Sequence, residues 1–370
     1  MDGRRLAPVL FWKVHVMTFR YFLVALAALG PAAALGAQPA AGPHSGLYMY
    51  QGADRDQRVL EGAKKEGRVV VYTSLNTKDS VPIVDVFEKK YGVKVDLWRS
   101  SSEKVLQRAV TEARAGRYAV DAFELNGPEL EAMWREGLLD RFSSPQSKNM
   151  PPQALAKNGA YIADRFNFFT IAYNTRLVKP NEVPNSYEDL LKPNWVGRIG
   201  IEAGDTDWFG SMVHAMGEKK GLEFFRKLAE MKPQLRTGHT LMAELVSSGE
   251  VPLAATIYNH NAERLKVKGA PIEWKALTPT FGRPNGVSVA KRAEHPHAAL
   301  LFVDFMLSLE GQRLIQKVNR VPASNKVDSK LNDFPYQMID PVVVIDESPK
   351  WEKLWSELFL KGQAIKRERE

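Results

Sequence analysis

The chain has 370 residues, of which 44% are hydrophobic and 25% are charged, and it contains no cysteine. This length predicts two lobes, and the lack of cysteine excludes disulfide frameworks, thiolate catalysis and Cys-ligated metal centres. The formal net charge of +8 does not indicate nucleic-acid binding, because the basic residues are interspersed with acidic ones along the chain.

Residues 1–37 have the three-part pattern of a cleaved secretory signal peptide. Lys13 and Arg20 precede the apolar stretch YFLVALAALG, which is followed by the small-residue segment PAAALGAQPAAG. The apolar stretch is shorter than the roughly 20 residues that a membrane span needs. We therefore expect cleavage near residue 37 and a periplasmic mature protein, whether translation begins at Met1 or at Met17.

The next segment predicts alternating strands and helices. The β-branched run RVVVYTS is typical of a strand that is buried on both faces of a parallel sheet. A helix is predicted to start at Val81-Pro82 and to end at Gly92. The strand VKVDLWR, a second helix and the strand AVDAFEL follow. This β-α-β-α-β order predicts an α/β fold with a mostly parallel sheet.

Each of these three strands ends in small polar side chains. Ser74 and Asn76 follow the first strand, Ser101 follows the second, and Asn126 follows the third. Ser and Asn are also preferred helix N-caps, so each of them alone is explained as a cap. Because ligands of open α/β sheets bind beyond the carboxyl ends of the strands, the group as a whole also predicts a polar pocket.

The second half of the chain begins with the apolar run FNFFTIAYNTRLV, which predicts a strand that crosses between lobes, and PNGVSVAK predicts the returning strand. We expect a first lobe from residues 38–172, a second lobe from 173–284, and residues 285–370 to return to the first lobe and add the C-terminal helices. The segment GDTDWFG then opens a helix directly after a short strand.

The GDTDWFG turn has two interpretations. A helix N-terminus favours anions, but Asp205 and Asp207 would repel an anion and would suit a ligand amine. Trp208 beside them would supply an apolar or cation-binding wall. Alternatively, the acidic residues simply cap their own helix.

The stretch ATIYNHN ends an apolar strand in polar side chains, so Tyr258 and Asn259 predict the mouth of a binding site. His239 also lies at the end of a predicted element. The sequence has no phosphate-binding loop, no nucleophile elbow and no zinc-helix motif. We therefore predict no catalytic residue and no cofactor.

The order of these segments resembles the ferric-binding-protein branch of the periplasmic solute-binding proteins. The segments that carry the resemblance are VVVYTSLNT, FEKKYGVKVDLWRSSSEKVLQRAVTEARAGRYAVDAFELNG, IAYNTRLV, LVSSGEVPLAATIYN and AALLFVDFMLSLEGQRLI. The resemblance implies a two-lobed α/β fold of type II with a hinge of two crossing strands near Tyr173 and Gly286. It also implies a monomer that captures a small ligand and delivers it to an ABC permease in the inner membrane.

The iron ligands of that branch are a His, a Glu and two adjacent Tyr, and these positions fall on Asn76, Asn126, Tyr258 and Asn259. Amides are poor ligands for Fe(III), so the resemblance implies a small polar ligand and no metal. Three alternatives remain open: a ferric transport protein with a non-standard site, an exported enzyme that uses the acidic turn, and a sensory binding protein.

Overall fold

The computed structural model describes residues 41–360. The predicted signal peptide, residues 1–37, lies outside the described residues. Within the described part of the chain, no helix combines the length and the apolar character that crossing a membrane requires.

Helices and strands alternate along most of the described chain. The helices are α1 (Ser45–Tyr48), α2 (Arg55–Glu66), α3 (Thr77–Tyr91), α4 (Ser102–Arg114), α5 (Gly127–Arg135), α6 (Thr206–Met216), α7 (Glu218–Glu230), α8 (His239–Ser248), α9 (Asn259–Lys266), α10 (Pro296–Leu307), α11 (Leu309–Lys317) and α12 (Pro341–Trp355). The strands are β1 (Arg68–Thr73), β2 (Lys94–Arg99), β3 (Ala122–Asn126), β4 (Ile162–Asn174), β5 (Ile199–Glu202), β6 (Gln234–Arg236), β7 (Leu253–Tyr258), β8 (Ile272–Lys275), β9 (Phe281–Val289), β10 (Val321–Pro322) and β11 (Gln337–Met338).

Helix α3 begins earlier than its predicted start at Val81. The backbone carbonyl of Asn76 accepts hydrogen bonds from the amides of Asp79 and Ser80 at 2.8 and 2.9 Å, so the helical pattern is already closed there. Pro82 lies inside the helix, where it gives up a backbone hydrogen bond. The turn between β1 and α3 is therefore short, and Asn76 is the residue that precedes the helix.

The first half of the sheet has the predicted parallel arrangement. β1 lies between β2 and β3 and pairs parallel with both. The carboxyl ends of these strands therefore meet at one edge of the sheet, where Thr73 is paired with Arg99 on one side and with Glu124 on the other. The prediction of a mostly parallel α/β sheet is confirmed for this half.

Strands β4 and β9 are the two crossing strands of the predicted hinge, and they contain Tyr173 and Gly286. The first part of β4 pairs antiparallel with β9, and its second part pairs with β7 and β8. At Gly286 the two strands approach so closely that a Cβ atom would lie 2.7 Å from the carbonyl oxygen of Ile162. Because β4 pairs with β9 along its first part and with β7 and β8 along its second, it belongs to both halves of the two-lobed fold.

The second half repeats the parallel pattern on a smaller scale. β5 pairs parallel with β7 and with β6, which gives the strand order β2-β1-β3-β9-β4-β7-β5-β6 along the main path of the sheet. Its carboxyl ends are Glu202, Arg236 and Tyr258. These ends precede α6, the turn before α8, and α9, so polar side chains gather there as they do in the first half.

Separate hydrophobic cores stabilise the two halves. Phe87 and Phe305 lie in the core of the first half, and Trp208 and Phe225 lie in the core of the second. The aromatic side chains that follow residue 350 pack into the second core as well: Trp351, Trp355 and Phe359. The lobe boundaries at residues 172 and 284 stay a prediction; α10 and α11 pack in the first core, whereas α12 packs on the second half.

Candidate ligand-binding site

Helices α3 and α9, which follow β1 and β7, approach each other, and Asp79 of α3 connects them. Both carboxylate oxygens of Asp79 accept hydrogen bonds of 3.0 Å from Arg264 on α9. Arg320 donates two more, of 2.8 and 2.6 Å, and its Nη1 atom also donates to Nε2 of His260. The predicted strand ends Asn76 and Tyr258 directly precede these two helices, and we call the starts of α3 and α9, with the residues just before them, the facing turns.

On the first side of this junction, the side chain of Asn76 has a hydrogen bond within the protein, whereas the hydroxyl of Ser74 has none. Oδ1 of Asn76 accepts a hydrogen bond of 3.0 Å from Arg99. The backbone amide of Ser74 donates to the carbonyl of Glu124, but its buried hydroxyl has no hydrogen-bond partner. The hydroxyl of Ser80, at the start of α3, is also buried without a partner.

The remaining predicted residues of the first half make contacts within the protein. Ser101 caps α4 by accepting a hydrogen bond of 3.4 Å from the amide of Lys104, so the cap interpretation holds for it. Asn126 accepts a hydrogen bond of 2.7 Å from Asn285, which in turn accepts one of 2.6 Å from Asn167. Asn126 is therefore the outer member of an amide chain that runs across β3, β9 and β4.

On the second side, Tyr258 is held between an imidazole ring and a guanidinium group. The ring of His239 stacks on the ring of Tyr258 with 3.6 Å between their centroids. The hydroxyl of Tyr258 accepts a hydrogen bond from Arg283. Burial raises the pKa of Tyr258 well above its usual value, so its phenol is protonated. Asn259 donates a hydrogen bond of 2.6 Å to the carbonyl of Leu331, and its Oδ1 atom has no partner.

Asp207 and Trp208 of the acidic turn do not form the predicted site for a ligand amine. Asp207 is paired on both oxygens with the guanidinium of Arg283, with 2.5 Å between Nε and Oδ2, so its charge is already balanced. Trp208 is fully buried and packs against Tyr187 and Phe225, so it belongs to the hydrophobic core. Neighbouring helix residues point in different directions, which is why Asp207 faces β9 while Trp208 faces the core.

Glu202 forms a cluster with Asp205 and His239, and the sequence analysis did not predict this cluster. One oxygen of Glu202 accepts from the amide of Gly204 at 2.6 Å, and the other accepts from Gly238 at 2.9 Å. Oδ1 of Asp205 lies 3.2 Å from Nε2 of His239. One oxygen or nitrogen atom from each of Glu202, Asp205 and His239 lies within 4.8 Å of the other two. Burial, and then the nearby charge of Asp205, raise the pKa of Glu202 to about 7.

A further buried charge cluster lies beneath the first half of the site. Arg165 on β4 pairs with Glu124 on β3 and lies 3.3 Å from Asp164, and all three side chains are almost completely buried. Glu124 also accepts a hydrogen bond from the hydroxyl of Thr73 at the end of β1. Burial raises the pKa of Asp164 to about 7. The cluster fixes the ends of β1 and β3 relative to the crossing strand.

Several residues of the site escaped the sequence analysis: Asp79, Glu202, Arg264, Arg283 and Arg320. Of these, only Arg283 has a visible signal, a cation within the otherwise apolar and small-residue strand FGRPNGVSV.

A cavity of about 300 Å³ lies elsewhere, on the first half between α4 and the end of β9. Arg114, Tyr118 and Arg292 are among the residues that line it, and none of the predicted site residues does.

The fold and the facing polar turns define a two-lobed solute-binding protein. The family described as bacterial extracellular solute-binding protein matches residues 125–345. The chain therefore belongs to this family, and it is an extracytoplasmic solute-binding component, which confirms the resemblance inferred from the sequence.

Curated relatives are similar over most of their length. Iron uptake protein A1 of Synechocystis sp. is 26% identical over 299 residues, which are 74% of this chain and 81% of the relative. The Fe(3+)-binding periplasmic protein of Serratia marcescens is 23% identical over 274 residues, which are 70% of this chain and 79% of the relative. These relatives are named as uptake and binding proteins.

Solved structures establish the same fold. Iron-bound HitA from Pseudomonas aeruginosa superposes with a TM-score of 0.70 at 21% identity, covering 79% of this chain and 99% of that one. AfuA from Actinobacillus pleuropneumoniae with bound fructose-6-phosphate superposes with a TM-score of 0.68 at 22% identity, covering 80% and 99%. The two titles name unlike ligands, so the shared fold does not specify a ligand for this chain.

Proposed function

We propose that this protein is the periplasmic receptor of an ABC importer and that it delivers a small polar organic ligand to a permease in the inner membrane. The family membership, the signal-peptide pattern of residues 1–37 and the relative named as a periplasmic protein support this role. The protein acts by binding, without catalysis, as the names of its relatives also suggest. As in the sequence analysis, we expect a monomer.

The observation that carries the ligand class is a set of buried polar atoms without a hydrogen-bond partner on both facing turns. They are the hydroxyls of Ser74 and Ser80 on one side, and Oδ1 of Asn259 and Nδ1 of His260 on the other. Buried polar atoms are nearly always paired, so unpaired ones mark places where a ligand or a bound water would complete the structure. A ligand between the turns would satisfy both sets.

These open atoms belong to uncharged groups. They are hydroxyl, amide and imidazole atoms, and burial lowers the pKa of His260 well below its usual value, so that its ring is neutral. Of the nearby charges, Asp79 pairs with both Arg264 and Arg320, so these three groups carry one net positive charge. The uncharged open atoms therefore suit a ligand with both donors and acceptors, either neutral or zwitterionic, and the acid group of a zwitterion would face the excess positive charge.

Ferric ion is the competing ligand, because several relatives are named for it. The positions that match the iron ligands of the family branch do not favour Fe(III) here. Tyr258 is a buried, protonated phenol that accepts a hydrogen bond from the cationic Arg283, and Asn76 and Asn126 offer neutral amides. Hard, highly charged Fe(III) prefers anionic oxygen, so we expect this site to reject it.

A thermal-shift screen of sugars, amino acids, betaines and small phosphates identifies the ligand, and calorimetry then measures its affinity. Ser74→Ala and Asn259→Ala should each weaken binding by about 2- to 150-fold, which corresponds to the loss of about 0.5–3 kcal/mol for one hydrogen bond. Ser308→Ala is the matched control, because the hydroxyl of Ser308 caps α11 and donates to the carbonyl of Phe305, both outside the site. If Ser74→Ala and Asn259→Ala retain wild-type affinity, the facing turns are not the binding site.

A further inference from the structure

We infer that Glu202, Asp205 and His239 form a binding site for one divalent first-row transition-metal ion, in addition to the organic ligand proposed above. The three residues come from the end of β5, the turn before α6 and the first residue of α8. All of them therefore belong to the second half of the fold. The ion would bind independently of whether the two halves close on a solute.

The geometry of the cluster fits a common metal ion. Oδ1 of Asp205 and Nε2 of His239 are 3.2 Å apart, and the three ligand atoms lie within 4.8 Å of one another. Two ligands that each lie about 2.1 Å from a metal are separated by about 3–3.4 Å in octahedral or tetrahedral coordination. The Asp205–His239 spacing already falls in that range, and Glu202 offers a third ligand atom within 4.8 Å of both.

An open atom on a buried side chain points independently to a missing ligand. Asp205 is only 1% exposed, yet its Oδ2 atom has no hydrogen-bond partner. A buried carboxylate oxygen without a donor is costly, and a cation is the partner that would stabilise it best.

The local charge is also consistent with a divalent ion. Glu202, Asp205 and Asp207 bring three carboxylates together, and Arg283 supplies one positive charge, paired with Asp207 and 3.9 Å from Asp205. When the three acids are ionised, two negative charges remain, and one divalent cation would balance them. The backbone amides of Gly204 and Gly238 hold the Glu202 carboxylate in place, as outer-shell donors do in metal sites.

The donor set favours a particular class of ion. One imidazole and two carboxylates suit Zn²⁺, Mn²⁺ or Fe²⁺, whereas Ca²⁺ and Mg²⁺ prefer oxygen ligands alone. Three protein ligands also leave coordination positions free for water or for an atom of the transported solute. His239 stacks directly on Tyr258, so the ion would lie beside the turn proposed to hold the solute.

Equilibrium dialysis of the purified, chelator-treated protein without an affinity tag tests this site, with Zn²⁺ and Mn²⁺ as probes and metal analysis as the readout. We expect one ion per protein and a rise in melting temperature. Asp205→Asn and His239→Gln should each weaken binding at least 10-fold, and Co²⁺ should give a visible absorption band that His239→Gln alters. Circular dichroism verifies that the variants are folded.

The matched control is His297→Gln. His297 forms a similar pair with Glu66, with 2.7 Å between Nδ1 and Oε1, but it lies on the surface and outside this group of three ligands. It should leave the affinity unchanged. The inference is overturned if the wild-type protein binds no ion, which would mean that protons balance the carboxylates, or if Asp205→Asn and His239→Gln bind the ion as tightly as wild type.

Discussion

Arg283 offers a sharp test of how the second half of the site is held together. Its guanidinium donates two hydrogen bonds to the carboxylate of Asp207, and a third to the hydroxyl of Tyr258. The side chains of Arg283 and Asp207 are only 12% and 6% exposed, so water screens their interaction weakly. The substitution Arg283→Met keeps an unbranched apolar stem but leaves Asp207 buried and unpaired.

The expected loss of stability is large. At a charge separation of about 4 Å and an effective dielectric constant of about 20, the Coulomb attraction is about 4 kcal/mol. Removing one partner of a buried ion pair typically costs about 3–5 kcal/mol, because the remaining charge stays buried without compensation. We therefore expect Arg283→Met to lower the free energy of unfolding by about 3–5 kcal/mol.

Urea denaturation of wild type, Arg283→Met, Asp207→Asn and the double variant measures this interaction. Asn at position 207 keeps an oxygen that can accept the 2.8 Å hydrogen bond from the amide of Trp208, so the charge is the main change. The double variant should lose less stability than the sum of the two single variants, by at least about 1 kcal/mol. Arg283→Lys should be intermediate, because an ammonium cannot make the bidentate contact. A loss below about 1 kcal/mol for Arg283→Met, or strict additivity, refutes this reasoning.

Three further predictions concern pH, iron and export. Burial raises the pKa of Asp164 to about 7, so the folded state holds a proton that the unfolded state releases, and stability falls as the pH rises from about 4 through 7. Asp164→Asn should reduce this fall by at most about 4 kcal/mol, and identical pH profiles of urea denaturation for both proteins would disprove it. Ferric citrate should leave the protein colourless; a visible charge-transfer band at one iron per protein that disappears in Tyr258→Phe would show that the site takes iron. Protein recovered from a periplasmic fraction should begin near residue 37, and an intact leader on membrane-bound protein would identify an anchor instead.

The sequence predicted those parts of the fold that depend on local pattern. The β-branched run before Ser74 and the alternation of strands and helices led to a parallel sheet, because such runs need cover on both faces. The same pattern predicted that the strands end at one edge of the sheet. Asn76 and Tyr258 lie at or just after the ends of two strands, so they were predicted to lie at the binding site. These inferences needed only the order of elements and the residues at their ends.

The charged residues of the site were not predictable in this way. Asp79 and Arg264 lie 185 residues apart in the chain, and each one taken alone looks like part of a solvated helix face. Only the folded chain, which brings α3 near α9, shows that they pair. Trp208 was misinterpreted for a related reason, because its polar neighbours suggested a pocket wall while the helix turned its ring into the second core.

The arrangement around Asp79 has a consequence for how the protein would release its cargo. Arg264 reaches Asp79 from α9 in the second half, whereas Arg320 directly precedes β10, which pairs with the part of β4 that belongs to the first half. If the halves separate, Asp79 loses Arg264 and keeps Arg320, while Arg320 loses its contact with the buried His260. Opening would therefore leave no unpaired carboxylate at Asp79, and its local cost would be the loss of these two mostly buried contacts, which salt screens only weakly.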